Sequence, residues 1–199
     1  MHPSWHTLLA EIRAVHERLP ALQAFCAFPE TVTAQDIPAR HDPLIDAMQA
    51  EPGLTAPKGM APLRDALQQA APTAFWRDTY RNTGYGEVLH ANFGCYEVLG
   101  RQTPLQAKGM RSFVIYQKAG FHYPWHHHPA EELYLVVAGE GEFHLDGAKP
   151  RRLGPGDTAF HASNAPHALI THESPVIAYV LWRGDLETKP VWTDPEALT

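Results

Sequence analysis

The sequence predicts a mainly β domain, a barrel or sandwich of short strands, with a helical extension in front of it. Apolar residues recur at helical spacing in the first seventy or so residues. From about residue 75 onward, short runs rich in β-branched and aromatic residues alternate with glycine-containing turns. Many short, regularly spaced strands are typical of all-β barrels and sandwiches. We therefore divide the chain into a helical extension (1–74), a barrel (75–187) and a C-terminal tail (188–199).

Composition excludes several classes of function. The chain has 199 residues, of which 44% are hydrophobic, and this is enough for one domain with a full core. A net charge of −6 without a basic run makes nucleic acid a poor partner. The N-terminal segment lacks the pattern of a signal peptide, and no later segment is apolar for long enough to span a membrane. Cys26 and Cys95 do not make a disulfide scaffold, so we expect a cytoplasmic protein.

Three helices are expected in the extension. The first covers residues 4–19, with Ser4 as its N-cap and an apolar stripe along one face. The second begins at Asp42, which caps it, and the third lies within residues 60–72.

Seven strands are expected after the extension, and the sequences AGEG (138–141) and LDGAKP (145–150) are expected to form hairpin turns. The predicted strands lie within residues 86–100, 111–120, 131–139, 141–147, 157–162, 167–172 and 176–184.

The stretch YPWHHHPAEELYLVVAG, residues 123–139, carries the clearest chemical signal. Alternate residues of a strand share a face, which places His126, His128, Glu132 and Tyr134 on one side and His127 on the other. Imidazoles and a carboxylate inside a barrel would be costly to bury without a partner. A divalent transition metal is such a partner, because this ligand mixture suits Zn, Fe, Mn, Co and Ni.

This spacing resembles the first motif of the cupin superfamily, in which H-x-H and a following glutamate lie between two glycines. The matching residues are Gly120, His126, His128, Glu132 and Gly139. The resemblance implies a single cupin barrel, which is a double-stranded β-helix or jelly roll.

The second cupin motif is only partly present. Gly156 and His167 fit it, whereas three positions depart from it, namely Ala162, Asn164 and Thr171. The resemblance implies that a metal is bound by His126, His128, Glu132 and His167. The neighbouring histidines have no spacing argument and are expected to pack or to support the ligands; they are His122, His144, His161 and His172.

Tyr134 follows Glu132 by two residues and is expected to point into the barrel beside the metal. A nearby dication favours the phenolate, which would make Tyr134 a candidate general base or a reversible metal ligand. The pattern Y-P-x-H-x-H-x-x-x-E-x-Y, from Tyr123 to Tyr134, resembles the Ddd-type lyases that act on dimethylsulfoniopropionate (DMSP). Those proteins also carry helices ahead of one cupin barrel and a late WRGD-like strand end, here residues 182–185.

The family resemblance implies a metal-dependent carbon–sulfur lyase that cleaves DMSP to dimethyl sulfide and acrylate by β-elimination. Tyr134 would remove the α-proton, with Tyr123 as the second candidate. Aromatic faces bind sulfonium cations, and the candidates for this contact are Trp182, Tyr123, Trp125 and Tyr179. For Trp182, a plain core position is an equal alternative.

Other functions fit the same ligands. A cupin Fe(II) dioxygenase, a small-molecule-binding cupin module and an isomerase all remain open, since ligand type alone does not separate them. A homodimer is also open, because the outward-facing Leu133, Leu135 and Val137 could be covered either by the helices or by a second chain.

Overall fold

In the computed structural model, which describes residues 1–78, 86–194, 196 and 198, five α-helices lie ahead of the first long strand. They are α1 (Pro3–Arg18), α2 (Pro20–Phe25), α3 (Leu44–Ala50), α4 (Ala61–Ala70) and α5 (Gly86–Asn92).

The starts of two predicted helices are displaced. The Nδ1 atom of His2 accepts a hydrogen bond from the backbone N–H of Ser4, so His2 is the N-cap of α1 and the prediction of Ser4 was wrong. The side chain of Asp42 accepts a hydrogen bond from the backbone N–H of Leu44 at 2.9 Å, but α3 begins at Leu44, two residues after Asp42. Pro20, expected to end the first helix, is the first residue of α2.

The β region forms two five-stranded antiparallel sheets that face each other, together with a short two-stranded pair, β1 with β3. Its strands are β1 (Thr33–Ala34), β2 (Phe93–Leu99), β3 (Leu105–Gln106), β4 (Arg111–Gln117), β5 (His122–His127), β6 (Glu131–Gly139), β7 (Gly141–Leu145), β8 (Arg151–Leu153), β9 (Thr158–His161), β10 (His167–Ile170), β11 (Val176–Arg183) and β12 (Val191–Trp192). One sheet has the order β2-β4-β11-β6-β9 and the other β12-β5-β10-β7-β8. The predicted cupin-type barrel with an N-terminal helical extension is confirmed.

Two features of the predicted strands were wrong. Residues 86–92 were expected to be part of a strand and instead form α5, with β2 beginning at Phe93. The AGEG sequence does not close a hairpin, because β6 and β7 belong to different sheets and the turn carries the chain between them. Gly139 is required there: its φ is +73°, and a Cβ would lie 1.8 Å from the carbonyl oxygen of Pro175. The LDGAKP turn does join a hairpin, β7 with β8.

The alternation of β11 separates two cores. Val180 and Trp182 face the barrel interior, whereas Tyr179 and Leu181 face the helices. The outward residues of β6, including Leu135, pack in the same cluster as Trp5 and Leu67 of the helical extension. The helices therefore cover the apolar face that could otherwise have required a second chain.

The C-terminal residues contribute to the barrel. Val191 pairs with His127 and Trp192 with His126, so β12 is the edge strand beside β5. Part of the segment expected to be a tail thus supports the strand that carries the H-x-H motif. Within the described part of the chain, none of the helices has the length and apolar character needed to cross a membrane.

Candidate metal centre and active site

Strand register brings the predicted metal ligands together. His167 of β10 pairs with His126 of β5. Glu132 of β6 lies opposite Trp182 on β11 and opposite His161 on β9. The ligands therefore meet from three strands at one end of the barrel, and all of these side chains are buried.

The backbone fixes the tautomer of each predicted histidine ligand. Each imidazole makes its Nδ1 hydrogen bond to a carbonyl oxygen two residues away, and a carbonyl can only accept. These bonds join His126 to Pro124 at 2.8 Å, His128 to Ala130 at 3.0 Å and His167 to Ala165 at 2.9 Å. Nδ1 therefore carries the proton and Nε2 presents its lone pair, the arrangement usual for a metal-binding histidine.

The freed nitrogen atoms converge with a carboxylate. Ligand atoms of His126, His128 and His167 lie within 4.8 Å of one another. The Oε2 atom of Glu132 lies 3.1 Å from Nε2 of His167 and 3.5 Å from Nε2 of His128. Both of these nitrogen atoms are buried without a hydrogen-bond partner. Zinc-like ions bind such atoms at about 2.0–2.2 Å, so ligand atoms roughly 3–4 Å apart fit one shared ion.

The electrostatics of the cluster suit a cation. Burial tends to raise the pKa of Glu132, but the neighbouring His128, together with His161 and His167, holds that pKa well below its ordinary value. Burial, reinforced by His167, holds the pKa of His126 well below its ordinary value. An ionised carboxylate and a neutral imidazole are the forms that bind metal. Burial lowers the pKa of His128, but Glu132 more than offsets this and the pKa is raised, so a proton on His128 would compete with a metal.

Two further side chains hold the carboxylate of Glu132. The indole N–H of Trp182 donates to Oε1 at 2.7 Å, and Nδ1 of His161 hydrogen-bonds to Oε2 at 3.1 Å. His161 also stacks on His167 with ring centroids 4.1 Å apart. Burial is the main cause that lowers the pKa of His161 to about 4, and His167 adds to it. The ring is therefore neutral and donates a hydrogen bond. Trp182 thus orients a predicted ligand as outer partners of metal sites do. His161 contacts the same carboxylate, and its ligand atom lies within 4.8 Å of those of Glu132 and His167.

The sequence marked His161 only as a residue expected to pack or to support the ligands, and not as a partner of Glu132. Its only local signal is that it lies six residues before His167, and the loop between the two breaks strand periodicity. Trp182 was singled out for a different reason, as a sulfonium contact. Its bond to Glu132 depends on the pairing of β6 with β11, which the sequence does not reveal.

A cavity opens onto this cluster. It is lined by Arg77, Phe93, Cys95, Phe113, Ile115, Tyr123, His126, His128, Glu132, Tyr134, Val180, Trp182 and Pro190. Tyr134 and Tyr123, the two candidate bases, are both buried at its wall. The ring of Tyr123 lies between Phe93 and His126, each with its centroid 4.2 Å away.

Two predicted substrate contacts lie away from the cavity. Tyr179 is fully buried on the helix-facing side of β11, so the expectation that it binds the sulfonium is corrected. Trp125 is half-buried on the outer side of β5, with its ring centroid 5.9 Å from that of His144. The expectation that Trp125 binds the sulfonium is corrected in the same way. His127 also points away from the centre and hydrogen-bonds to Thr193 at 2.7 Å.

Sequence comparison decides the family. The model of the dimethylsulfoniopropionate lyase family matches residues 15–178. The curated relative dimethylsulfoniopropionate lyase DddQ of Ruegeria pomeroyi (strain DSS-3) is 45% identical over 194 residues, covering 98% of this chain and 96% of the relative. The chain belongs to the dimethylsulfoniopropionate lyase family. The resemblance seen between Tyr123 and Tyr134 is thereby confirmed.

Solved structures of DMSP lyases agree with this fold over nearly the whole chain. The crystal structure of DMSP lyase DddQ from Ruegeria pomeroyi DSS-3 matches with a TM-score of 0.95 and 44% identity, covering 99% of this chain and 100% of that one. A crystal structure from work on the DMSP lyases RdDddP and RnDddQII matches with a TM-score of 0.91 and 40% identity, covering 96% and 98%. The helical extension is therefore shared with both of these structures.

Proposed function

We propose that the protein cleaves dimethylsulfoniopropionate to dimethyl sulfide and acrylate by base-initiated β-elimination at a divalent metal centre. The observation that carries this is the convergence of three backbone-oriented imidazoles and one carboxylate on a cavity walled by two tyrosines. Membership of the DMSP lyase family supplies the substrate class.

The residues present fit a metal drawn from Fe, Zn, Mn, Co and Ni. His126, His128 and His167 would hold it through Nε2, and Glu132 through its carboxylate. When bound, such a metal supplies a Lewis acid that stabilises the negative charge developing on the substrate's carboxylate as the α-proton leaves. Trp182 and His161 keep Glu132 in place for this role.

Tyr134 is the proposed general base. Its phenolate oxygen takes the α-proton of the substrate, and the C–H electron pair becomes the new carbon–carbon double bond. The β carbon–sulfur bond then breaks, and dimethyl sulfide leaves with that bonding pair as a neutral molecule. Acrylate remains, so atoms and charges balance without an oxidant. Tyr123 is the second candidate for the base, since it lies on the wall of the same cavity.

The aromatic wall would receive the sulfonium end. A cation on an aromatic face is stabilised by about 0.5–2 kcal/mol. Both faces of Tyr123 are occupied by Phe93 and His126, so Tyr123 would contribute its hydroxyl rather than its face. Trp182 lines the cavity and remains the proposed face for the sulfonium, in addition to holding Glu132.

Headspace gas chromatography of purified, metal-loaded protein with DMSP tests this function. We expect release of dimethyl sulfide without oxygen uptake, and loss of release in a His128→Ala variant. Consumption of oxygen coupled to turnover would instead support a cupin dioxygenase. Binding of DMSP without any release would support the alternative of a binding module.

A further inference from the structure

Arg77 has no part in the metal centre, yet it reaches the same cavity. Among the described residues that line this cavity, it is the one arginine or lysine. It comes from the segment between α4 and α5, outside every motif that the sequence singles out. Its position in the cavity wall therefore raises the question of what its charge contacts.

The surrounding structure holds Arg77 in place. Its backbone N–H donates to the carbonyl oxygen of Cys95 at 2.7 Å, and the preceding Trp76 forms an antiparallel bridge with Tyr96 of β2. The guanidinium lies over the ring of Phe113, 4.8 Å from its centroid. These contacts fix the side chain at the wall.

Among the described residues, no acid is paired with the charge of Arg77, in contrast to the charge of its neighbour Arg111. Arg111 lies over the same Phe113 ring, at 5.1 Å, and is paired with the buried carboxylate of Glu97 at 2.5 Å. In the described ranges, no carboxylate lies within ion-pair distance of Arg77. The acid of the cavity wall, Glu132, is already engaged by the histidines and Trp182.

We propose that Arg77 binds the carboxylate end of the substrate and so determines which way round the zwitterion enters the cavity. This rests on the proposed function, in which the substrate carries a carboxylate at one end and a sulfonium at the other. A guanidinium matches a carboxylate in charge and in hydrogen-bond geometry, and it repels a sulfonium. A carboxylate has two oxygen atoms, so contact with Arg77 leaves one for the metal centre. Acrylate keeps the carboxylate and would be held by the same contact.

Two half-substrates separate this role from a structural one. Propionate carries only the anionic end and trimethylsulfonium only the cationic end. Their affinities for zinc-loaded protein can be measured by NMR titration without turnover. Arg77→Met should weaken propionate binding by about tenfold to a hundredfold, the usual effect of losing a hydrogen bond to a charged group, and should not weaken trimethylsulfonium binding. Arg77→Lys should restore part of the propionate affinity.

Arg40→Met is the matched control. Arg40 also lies over a phenyl ring, that of Phe75 at 4.7 Å, but does not line the cavity. It should bind both probes as the wild type does. Three results would each overturn the proposal. They are an unchanged propionate affinity in Arg77→Met, an equal loss of affinity for both probes in Arg77→Met, and an equal loss of propionate affinity in Arg40→Met. Release of dimethyl sulfide by the wild type is measured separately. If no dimethyl sulfide is released, the proposed function is contradicted, whereas the probe affinities still test the role of Arg77.

Discussion

Replacing Trp182 with phenylalanine should weaken metal binding without disturbing the fold. The substitution keeps an aromatic ring in the barrel and removes the indole N–H that donates to Oε1 of Glu132 at 2.7 Å. Trp182 and Glu132 are 5% and 3% exposed, so water cannot readily replace the lost donor. A hydrogen bond to a charged group is worth about 1.5–3 kcal/mol. Removing an outer partner of a metal ligand typically costs about 10–100-fold in affinity, which agrees with that range at about 1.4 kcal/mol per factor of ten.

Competition titration of zinc against a chromophoric chelator measures this directly. We expect the dissociation constant to rise about tenfold to a hundredfold in Trp182→Phe. Trp125→Phe is the matched control, because Trp125 is half-buried on the outer side of β5 and does not touch Glu132. Far-UV circular dichroism should be the same for all three proteins. A zinc affinity of Trp182→Phe within twofold of the wild type would show that Glu132 does not depend on Trp182.

Three further predictions follow from the same geometry. Tyr134→Phe should keep its metal but lose about 10²–10⁴-fold in kcat, the usual effect of a missing general base, and dimethyl sulfide release near the wild-type rate would make the tyrosine structural. His167→Ala should lower zinc content in elemental analysis whereas His127→Ala should not, because His127 bonds to Thr193 outside the centre; equal zinc in both variants would remove His167 from the ligand set. Burial lowers the pKa of His16 below its ordinary 6.5, so as the pH falls the unfolded chain binds a proton before the folded chain does. The free energy of unfolding should therefore fall as the pH drops below about 6.5. Urea unfolding at pH 8 and pH 5 should show a smaller fall for His16→Gln, and an equal fall would mean that His16 does not contribute to the pH dependence.

The cluster of candidate metal ligands was predictable because its signal is local. His126, His128, Glu132 and Tyr134 lie close together in the sequence and all line one cavity. The single strand assumed for them is wrong, because β5 and β6 are separate strands in different sheets. The structure adds what spacing cannot give, namely the carbonyl contacts that turn each Nε2 toward the centre.

The errors arose where local pattern is ambiguous. Residues 86–92 contain only a short apolar pair, Val88 and Leu89, which fits a strand or a helix equally well. In α5, Leu89 packs in the barrel core whereas Val88 is exposed. The AGEG sequence has the composition of a tight turn whether the flanking strands pair or, as here, enter different sheets. The error at Tyr179 was avoidable, because Tyr179 has the opposite parity to Trp182 on the same strand and both side chains could not face the cavity.

Other features depend on tertiary contacts alone. The bond from His161 to Glu132 requires the pairing of β9 with β6. Arg77 reaches the cavity only because its segment docks along β2 and the guanidinium settles on Phe113. Neither position carries a motif, so the sequence could not identify these contacts.

The central claim is elimination from DMSP at this centre, and the most direct measurement is the product ratio under anaerobic conditions. Metal-loaded wild-type protein is incubated with DMSP, dimethyl sulfide is quantified in the headspace, and the three-carbon product is quantified by NMR in the same vial. The account predicts equal amounts of dimethyl sulfide and acrylate without oxygen. Dimethyl sulfide accompanied by 3-hydroxypropionate instead of acrylate, or turnover only after oxygen is admitted, would contradict it.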